Sequence, residues 1–458
     1  MPRRARIPVR RLAAKKKPQI NRRFSKTKSV CPVCLAVIDA WRTVGEDGRI
    51  YLEKSCPLHG DFSALIWDGP FEEYKAWGRE NRGNTPKVTV PALVGCPRDC
   101  GLCENHESTG CCVLLELTSR CNLCCPVCFA SSGERGRDTS VEEIEGLYDM
   151  LMSRGGPFNI QLSGGEPTVR DDLPQIIALG REKGFTFFQL NTNGLRLAEE
   201  QGYAKTLDAA GLSCVFLQFD GVTETPNRIL RGRDLLKIKL AAIAACKEAG
   251  LSVVLVPTVA PGVNDCELGA ILDFALSLSP TVRGVHFQPI SYFGRCALKA
   301  PLERLTIPKM LRLIEEQTGG RMKKIDFGGG GAESPYCSFH ASYRAGEDGT
   351  FKALVKRQDI CCCVKSSQAR DTVAWQWGNG ALPAAGGVPG DTASLDAFLE
   401  QARTATFTVS GMLFQDAFTL DLERLRRCYI CEADLERGMV PFCAYNLTDL
   451  GGRALYRK

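Results

Sequence analysis

Between residues 113 and 318 the chain repeats one pattern six times: a short apolar run, then a longer stretch with apolar residues at helical spacing. The apolar runs lie at 113–117, 158–162, 185–190, 213–219, 251–259 and 282–289. The helical stretches lie at 141–155, 172–183, 197–210, 233–250, 266–279 and 307–318. Near-continuous apolar strands alternating with amphipathic helices predict an α/β fold, a parallel sheet covered by helices. Six such units make a partial (β/α)6 barrel of the TIM type over residues 112–318. Functional groups in such a barrel sit in the loops after the strands' C-terminal ends. The flanks read differently. Residues 31–92 form a small domain with a turn at 45–48, residues 93–111 a cysteine-rich connector, and residues 319–458 a C-terminal domain with a Gly/Pro-rich loop at 375–394.

Composition narrows the class. Of 458 residues, 44% are hydrophobic and 24% charged, which excludes a disordered chain. No apolar run approaches the ~18 residues of a membrane span, and no signal-peptide pattern is present. The net charge of +6 is unevenly placed: residues 1–30 hold 12 Lys/Arg and no acidic residue, leaving 46 basic against 52 acidic residues elsewhere. Residues 1–30 are expected to be a disordered basic tail, with contact to anionic lipid headgroups as the sharper alternative. Phe24 is the one aromatic in that tail, so base stacking and nucleic-acid binding are not expected.

The decisive number is 23 cysteines against 4 histidines. In a large chain without a secretion signal, thiolate metal ligation explains them better than disulfides, and a reducing cytoplasm follows. Cys121, Cys125 and Cys128 have the spacing C-x3-C-x2-C directly after the first barrel strand. Three thiolates on one loop hold three irons of a [4Fe–4S] cube and leave the fourth iron open. Cys124 is off this spacing and reads as a bystander. After the second strand come Ser163, Gly164, Gly165 and Glu166, where glycines permit close backbone approach and the carboxylate suits a cationic amine. After the third strand, Asn191 and Asn193 suit hydroxyl groups. Asp220 follows the fourth strand, and Arg231, soon after, suits a carboxylate.

Cys121/Cys125/Cys128 together with Gly164-Gly165-Glu166-Pro167 resembles the radical S-adenosylmethionine (SAM) superfamily. The resemblance implies that the three cysteines carry the catalytic cluster and that SAM binds its open iron. Reductive cleavage would give a 5′-deoxyadenosyl radical that abstracts hydrogen from substrate. It implies that Glu166 takes the SAM amine. Asn191, Asn193 and Asp220 are then candidates for the ribose, and Arg231 for the carboxylate. A one-electron reductant such as ferredoxin or flavodoxin is an implied partner.

Other cysteine groups predict further metal. Cys96, Cys100 and Cys103 repeat the spacing without a following glycine loop and read as an auxiliary [4Fe–4S] cluster, with Cys111 or Cys112 as a possible fourth ligand. Cys31, Cys34, Cys56 and His59 fit a tetrahedral mononuclear iron or zinc. Cys337, Cys363, Cys428 and Cys443 are chosen for a second auxiliary cluster. Cys214, Cys246, Cys266 and Cys296 stand singly and read as buried small hydrophobes. His286 reads as a core or SAM-pocket residue.

The whole ordered chain resembles a narrower group, the archaeal tetraether lipid synthases and related methylases of a pterin precursor. The marks are Cys56-Pro-Leu-His59-Gly60, the 95–106 segment ending Cys103-Glu-Asn-His106, Phe414-Gln415-Asp416, and Val440-Pro-Phe-Cys443-Ala-Tyr-Asn446. Cys431 departs from the histidine expected there. The favoured expectation is carbon–carbon coupling of lipid alkyl chains. A radical SAM methyltransferase acting on a pterin or other heteroaromatic is the alternative. A peptide-modifying enzyme comes third, and a non-catalytic metal scaffold is the reading from another class.

Overall fold

The computed structural model describes residues 20–78, 86, 90–298, 304–330, 333–345, 351–354, 366–378 and 406–457. Strands β1 (Ile20–Val30), β2 (Val37–Gly45), β3 (Ile50–Cys56) and β4 (Gly60–Trp67) form an antiparallel meander, followed by helix α1 (Phe71–Trp77). The expected disordered tail is therefore corrected at 20–30. Those residues pair with β2 along its length, with Arg22 over the Phe71 ring and Lys26 paired with Asp39 at 2.7 Å. Cross-strand pairing orders this backbone, while Arg22, Arg23, Lys26 and Lys28 keep their side chains exposed, as composition suggested.

The repeating region forms strands β5 (Cys112–Thr118), β6 (Val127–Cys128), β7 (Asn159–Gly164), β8 (Phe188–Thr192), β9 (Cys214–Gln218), β10 (Ser252–Val256), β11 (Thr258–Val259), β12 (Val282–Pro289) and β13 (Arg295–Cys296). Its helices are α2 (Val141–Ser153), α3 (Leu173–Glu182), α4 (Leu195–Glu199), α5 (Tyr203–Ala209), α6 (Glu224–Arg231), α7 (Leu236–Ala249), α8 (Leu268–Ser277) and α9 (Ile307–Gln317). The six parallel strands stand in the order β5, β7, β8, β9, β10, β12, each beside the next. Helix α2 starts in a capping box, with Ser140 Oγ accepting from Glu143 N and Glu143 returning to Ser140 N. The single helix expected at 197–210 is two, split at Gly202, whose φ of +83° no helix accommodates.

The strands are uniformly apolar on their outer face. Ile160 and Leu162, Phe188 and Leu190, and Val215 and Leu217 pack outward against the helices in the main core. The alternate positions face inward, and several are polar. Period-2 alternation, hidden in the sequence by β-branched and aromatic neighbours, thus separates a helix-facing core from a polar interior.

The C-terminal third does not stand apart as expected. Strands β14 (Ser338–Ala345), β15 (Phe351–Ala353) and β16 (Thr406–Met412) extend the sheet beyond β12. Strands β17 (Ile430–Asp434) and β18 (Gly438–Pro441) extend it beyond β5, at the opposite edge. Helix α10 (Ser366–Trp377) closes the barrel at the strands' N-terminal ends. Asn159 Nδ2 donates to Arg370 O at 3.0 Å, Ser252 Oγ donates to Trp377 O at 2.6 Å, and Trp377 packs on Cys214 and Val254. Residues 375–377 of the expected loop are therefore helical; most of that loop lies outside the described residues, as does Cys363. The meander docks through Arg42, which pairs with Asp421 at 2.7 Å, and through the buried Lys54, which donates to Ala417 O.

His106 is buried and donates from Nε2 to Cys428 O at 2.8 Å, and burial pushes its pKa down to about 4. The unfolded chain takes up a proton near pH 6.5 that the folded chain refuses until about pH 4. Stability is therefore full above pH 6.5 and falls as pH drops through that window, by up to about 1.4 kcal/mol per unit. Denaturant titrations of the apoprotein from pH 7 to 4.5 should show this fall, and His106→Gln should reduce it. An equal slope in that variant would assign the acid sensitivity elsewhere.

Candidate active site and metal centres

One cavity opens at the C-terminal ends of the barrel strands. It encloses about 1480 Å³ of empty space, the open mouth included. Cys121, Cys125 and Cys128 line it together with Ser163, Gly164, Gly165 and Glu166. Asn191, Asn193 and Arg231 line it as well, so the barrel gathers residues 110 positions apart in sequence. Cys124 is exposed, in keeping with a bystander.

The cysteine loop has little regular structure, so its backbone is held from outside. Cys121 N donates to Gly133 O at 2.7 Å. Arg295, a residue the sequence reading passed over, donates from Nε to Cys125 O at 2.7 Å and from Nη2 to Ser132 O at 2.7 Å. Arg231 donates from Nη1 to Val127 O at 3.1 Å. Burial pushes the Cys121 thiol up to about 12 and also raises Cys125, where the Arg231 charge opposes it. Loading metal here displaces protons.

The glycines act differently from expectation. Gly165 N donates to Thr118 O at 2.7 Å and Glu166 N to Arg120 O at 2.9 Å. A Cβ at Gly164 would lie 2.3 Å from Thr118 O, and one at Gly165 2.1 Å from Arg120 O. The missing side chains let this loop lie against the backbone that leads into Cys121. The Glu166 carboxylate is heavily engaged. Its Oε1 accepts from Thr168 N, Thr168 Oγ1 and Thr192 Oγ1, and its Oε2 accepts from Asn193 N at 2.7 Å. Only Oε2 keeps room for an amine.

Two assignments change. Asp220 is fully buried and does not line the cavity. It holds Arg231 in a two-point pair of 2.6 and 2.8 Å and accepts from Thr258 N, so it cannot serve a ribose. The Arg231 guanidinium, committed to Asp220, Val127 O and Thr258 Oγ1, supports the cysteine loop rather than offering a free fork to a carboxylate. Asn193 bridges to the same loop through Asn122 Oδ1 at 2.7 Å. Asn191 remains the less committed of the two asparagines, bonded to Gln189 and, at 3.5 Å, to Gln161.

The cavity's inner wall also carries Gln161, Gln189, Gln218, His286 and Gln288. The lining also includes Phe129, Phe293, Phe414 and Phe442, the last two with ring centroids 4.3 Å apart. Polar residues at every second position of the strands were the available signal for the first set. The second set comes from loops and the C-terminal segment, for which the sequence held no positional signal.

Cys31, Cys34, Cys56 and His59 meet as predicted, with ligand atoms within 4.8 Å of one another. Three thiols and an imidazole fit tetrahedral zinc. Cys96, Cys100 and Cys103 lie within electrostatic reach of one another. Cys111 and Cys112 instead face each other, Sγ to Sγ at 3.7 Å, at the start of β5. Neither interacts with the Cys96 group among the described residues. Cys337, Cys428 and Cys443 lie within reach of one another's charge, and Arg424 donates to Cys337 Sγ at 3.3 Å. Cys214 and Cys246 are buried, whereas Cys266 is exposed and Cys296 half-buried.

Comparison with known proteins agrees with this geometry. A radical SAM superfamily profile matches residues 115–275, and the profile of an HMPTM N-terminal zinc ribbon domain matches residues 24–68. The 7,8-dihydro-6-hydroxymethylpterin dimethyltransferase of Methanocaldococcus jannaschii is 36% identical, covering 92% of this chain and 93% of its own. The Fe-coproporphyrin III synthase of Methanosarcina barkeri is 36% identical over 40% of this chain and 45% of its own. Among solved structures, Streptococcus suis SuiB bound to S-adenosylmethionine matches 46% of this chain and 47% of its own, with a TM-score of 0.38 and 16% identity.

Asp220→Ala should cost about 3–5 kcal/mol of unfolding free energy, because it strands a buried guanidinium. A loss of SAM affinity at full stability would restore Asp220 to the ligand set. Cys56→Ala should remove one zinc equivalent per chain by elemental analysis and leave the iron content unchanged. Retained zinc would exclude the four-residue site.

Proposed function

Because the chain belongs to the radical SAM superfamily, and along nearly its whole length to the family of the M. jannaschii pterin dimethyltransferase, we propose that it methylates a carbon of a reduced pterin. Superfamily membership brings SAM and a [4Fe–4S] cluster as cofactors. The residues fit them: three free thiols, none of them bonded to another cysteine, share one loop that lines the cavity together with Glu166 and Asn191. Cys121, Cys125 and Cys128 would hold the cluster, and Glu166 Oε2 with Asn191 would orient SAM. When bound and reduced, these cofactors supply a primary carbon radical able to take hydrogen from unactivated carbon, which no acid or base on the protein could do.

The protein's own residues do the rest. Arg231 and Arg295 fix the carbonyls of the cysteine loop. Glu166 and Asn193 lock the glycine loop to that same loop. The barrel wall and α10 exclude water from the cavity's inner end, protecting a radical from quenching.

The observation that carries this reading is the likeness to a pterin enzyme over 92% of the chain, together with a cavity lining that carries both carboxamides and phenylalanines. A planar heterocycle presents both a hydrogen-bonding edge and stackable faces to such a lining. Lipid-chain coupling, the earlier expectation, gains no support from the relatives. The carboxamides would also be left unpaired against an alkyl chain. Among the described residues no helix is long and apolar enough to cross a membrane.

The anaerobic protein should be supplied with SAM, a reductant, 7,8-dihydro-6-hydroxymethylpterin and cell extract as a source of one-carbon units. The expected products are 5′-deoxyadenosine and a pterin heavier by CH₂ units, seen by mass spectrometry. 5′-Deoxyadenosine with an unaltered pterin, and joined chains when ether lipid is supplied, would reverse the assignment.

A further inference from the structure

The deepest part of the cavity lies beyond the residues placed near the cofactors. Gln161 and Gln189 stand side by side on β7 and β8, in register. Phe216 on β9 and His286 on β12 complete this inner level, and all four line the cavity. Beneath them Trp377 meets Phe216 edge-on at 5.9 Å and seals the barrel. Phe216 and His286 have ring centroids 6.1 Å apart.

The hydrogen bonds give this floor a polarity. Gln189 Nε2 donates to Asn191 Oδ1 at 2.7 Å, which leaves the Gln189 carbonyl without a partner among the described residues. Asn191 Nδ2 donates to Gln161 Oε1 at 3.5 Å, and the Gln161 amide lies within electrostatic reach of the Cys112 sulfur. At least one N–H of Gln161 is then left over. The result is an acceptor beside a donor on two adjacent strands. His286 bonds Ser410 Oγ through Nδ1 at 2.9 Å, and its Nε2 has no partner among the described residues. Polar groups held at the closed end of a cavity with spare bonding capacity are costly unless a ligand completes them.

Resting on the pterin reading above, we infer that Gln161, Gln189 and His286 form the specificity-determining contacts for the substrate. Gln189 accepts from, and Gln161 donates to, the cis-amide edge of a planar nitrogen heterocycle, its ring N–H beside its carbonyl. Phe216 packs against the bound ring, and His286 Nε2 bonds a ring nitrogen. The same chain of carboxamides passes through Asn191, so a substrate in place also fixes a residue assigned to SAM. Gln161, Gln189 and His286 are positioning and recognition groups and transfer no proton in this scheme.

Fluorescence titration of the iron-loaded protein separates this inference from the reading it rests on. The probes are 6-hydroxymethylpterin and 2,4-diamino-6-hydroxymethylpteridine, in which a C4 amino group beside an unprotonated ring nitrogen reverses the amide edge. The parent protein should prefer the pterin by about tenfold or more, since a mismatched edge leaves buried groups unpaired. Gln189→Met should weaken pterin binding and collapse that preference, and His286→Phe should weaken both probes alike. Gln161→Met tests the same pair of contacts if Gln189→Met fails to fold, as judged by circular dichroism and iron content. If the parent discriminates and well-folded variants discriminate equally, the floor does not read the edge and the pterin reading stands. If the parent binds neither probe, the pterin reading falls and this inference with it.

Discussion

A loop with almost no regular hydrogen bonding has to hold three thiols at fixed positions around one cavity. Most of the architecture near the mouth answers that constraint. The loop's carbonyls cannot pair with one another, so two arginines reach them, Arg231 from α6 and Arg295 from β13. Arg231 is buried and would be unstable alone, so Asp220 is buried with it. Asp220 in turn accepts from Thr258 N, which ties β11 to the same cluster. On the other side, Asn193 bonds Asn122 inside the loop, and Glu166 bonds Asn193. The glycine pair allows this second brace to touch the backbone before Cys121. Charged residues that resemble ligand-binding groups thus spend most of their hydrogen bonds on holding thiols.

The C-terminal third decides what the cavity is. By adding strands at both edges of the parallel sheet it turns the barrel's flanks into walls, and it contributes Phe414, Ile430 and Phe442 to the lining. Through α10 it also closes the inner end. The closed end so formed carries Gln161, Gln189 and His286, with Trp377 beneath Phe216. The metal-bearing meander at the N-terminus is fastened to this same segment through Arg42–Asp421 and Lys54–Ala417. One stretch of chain therefore joins the domain that carries Cys31, Cys34, Cys56 and His59, the Cys337 group and the closed end of the barrel.

Strand and helix alternation between residues 113 and 318 was legible because each strand's outer face is strongly apolar and each helix buries one stripe. Ten of the eleven residues assigned to the catalytic cluster and its surroundings line the cavity, Asp220 being the exception, because each lies at or beyond the C-terminal end of a strand that faces that mouth. Asp220 was misread because its position after β9 says nothing about a partner eleven residues away that would occupy it. The basic segment at 20–30 was misread because charge composition ignores cross-strand pairing. Gln161, Gln189 and His286 were underweighted because inward and outward positions alternate within runs that look uniformly apolar.

The sequence by itself determined the chemistry: cysteine spacing, the glycine loop and the strand–helix repeat are local, and thiolate ligation depends on residue type and short separations. It also determined the Cys31/Cys34/Cys56/His59 site, whose ligands lie on two short turns. Only the tertiary structure decided which charged groups remain free for ligands, how far Cys111 and Cys112 stand from the Cys96 group, and what lines the closed end of the barrel. Those outcomes depend on contacts between segments separated by tens to hundreds of residues. Burial and the need to satisfy every polar group there determine what each side chain is left able to bind.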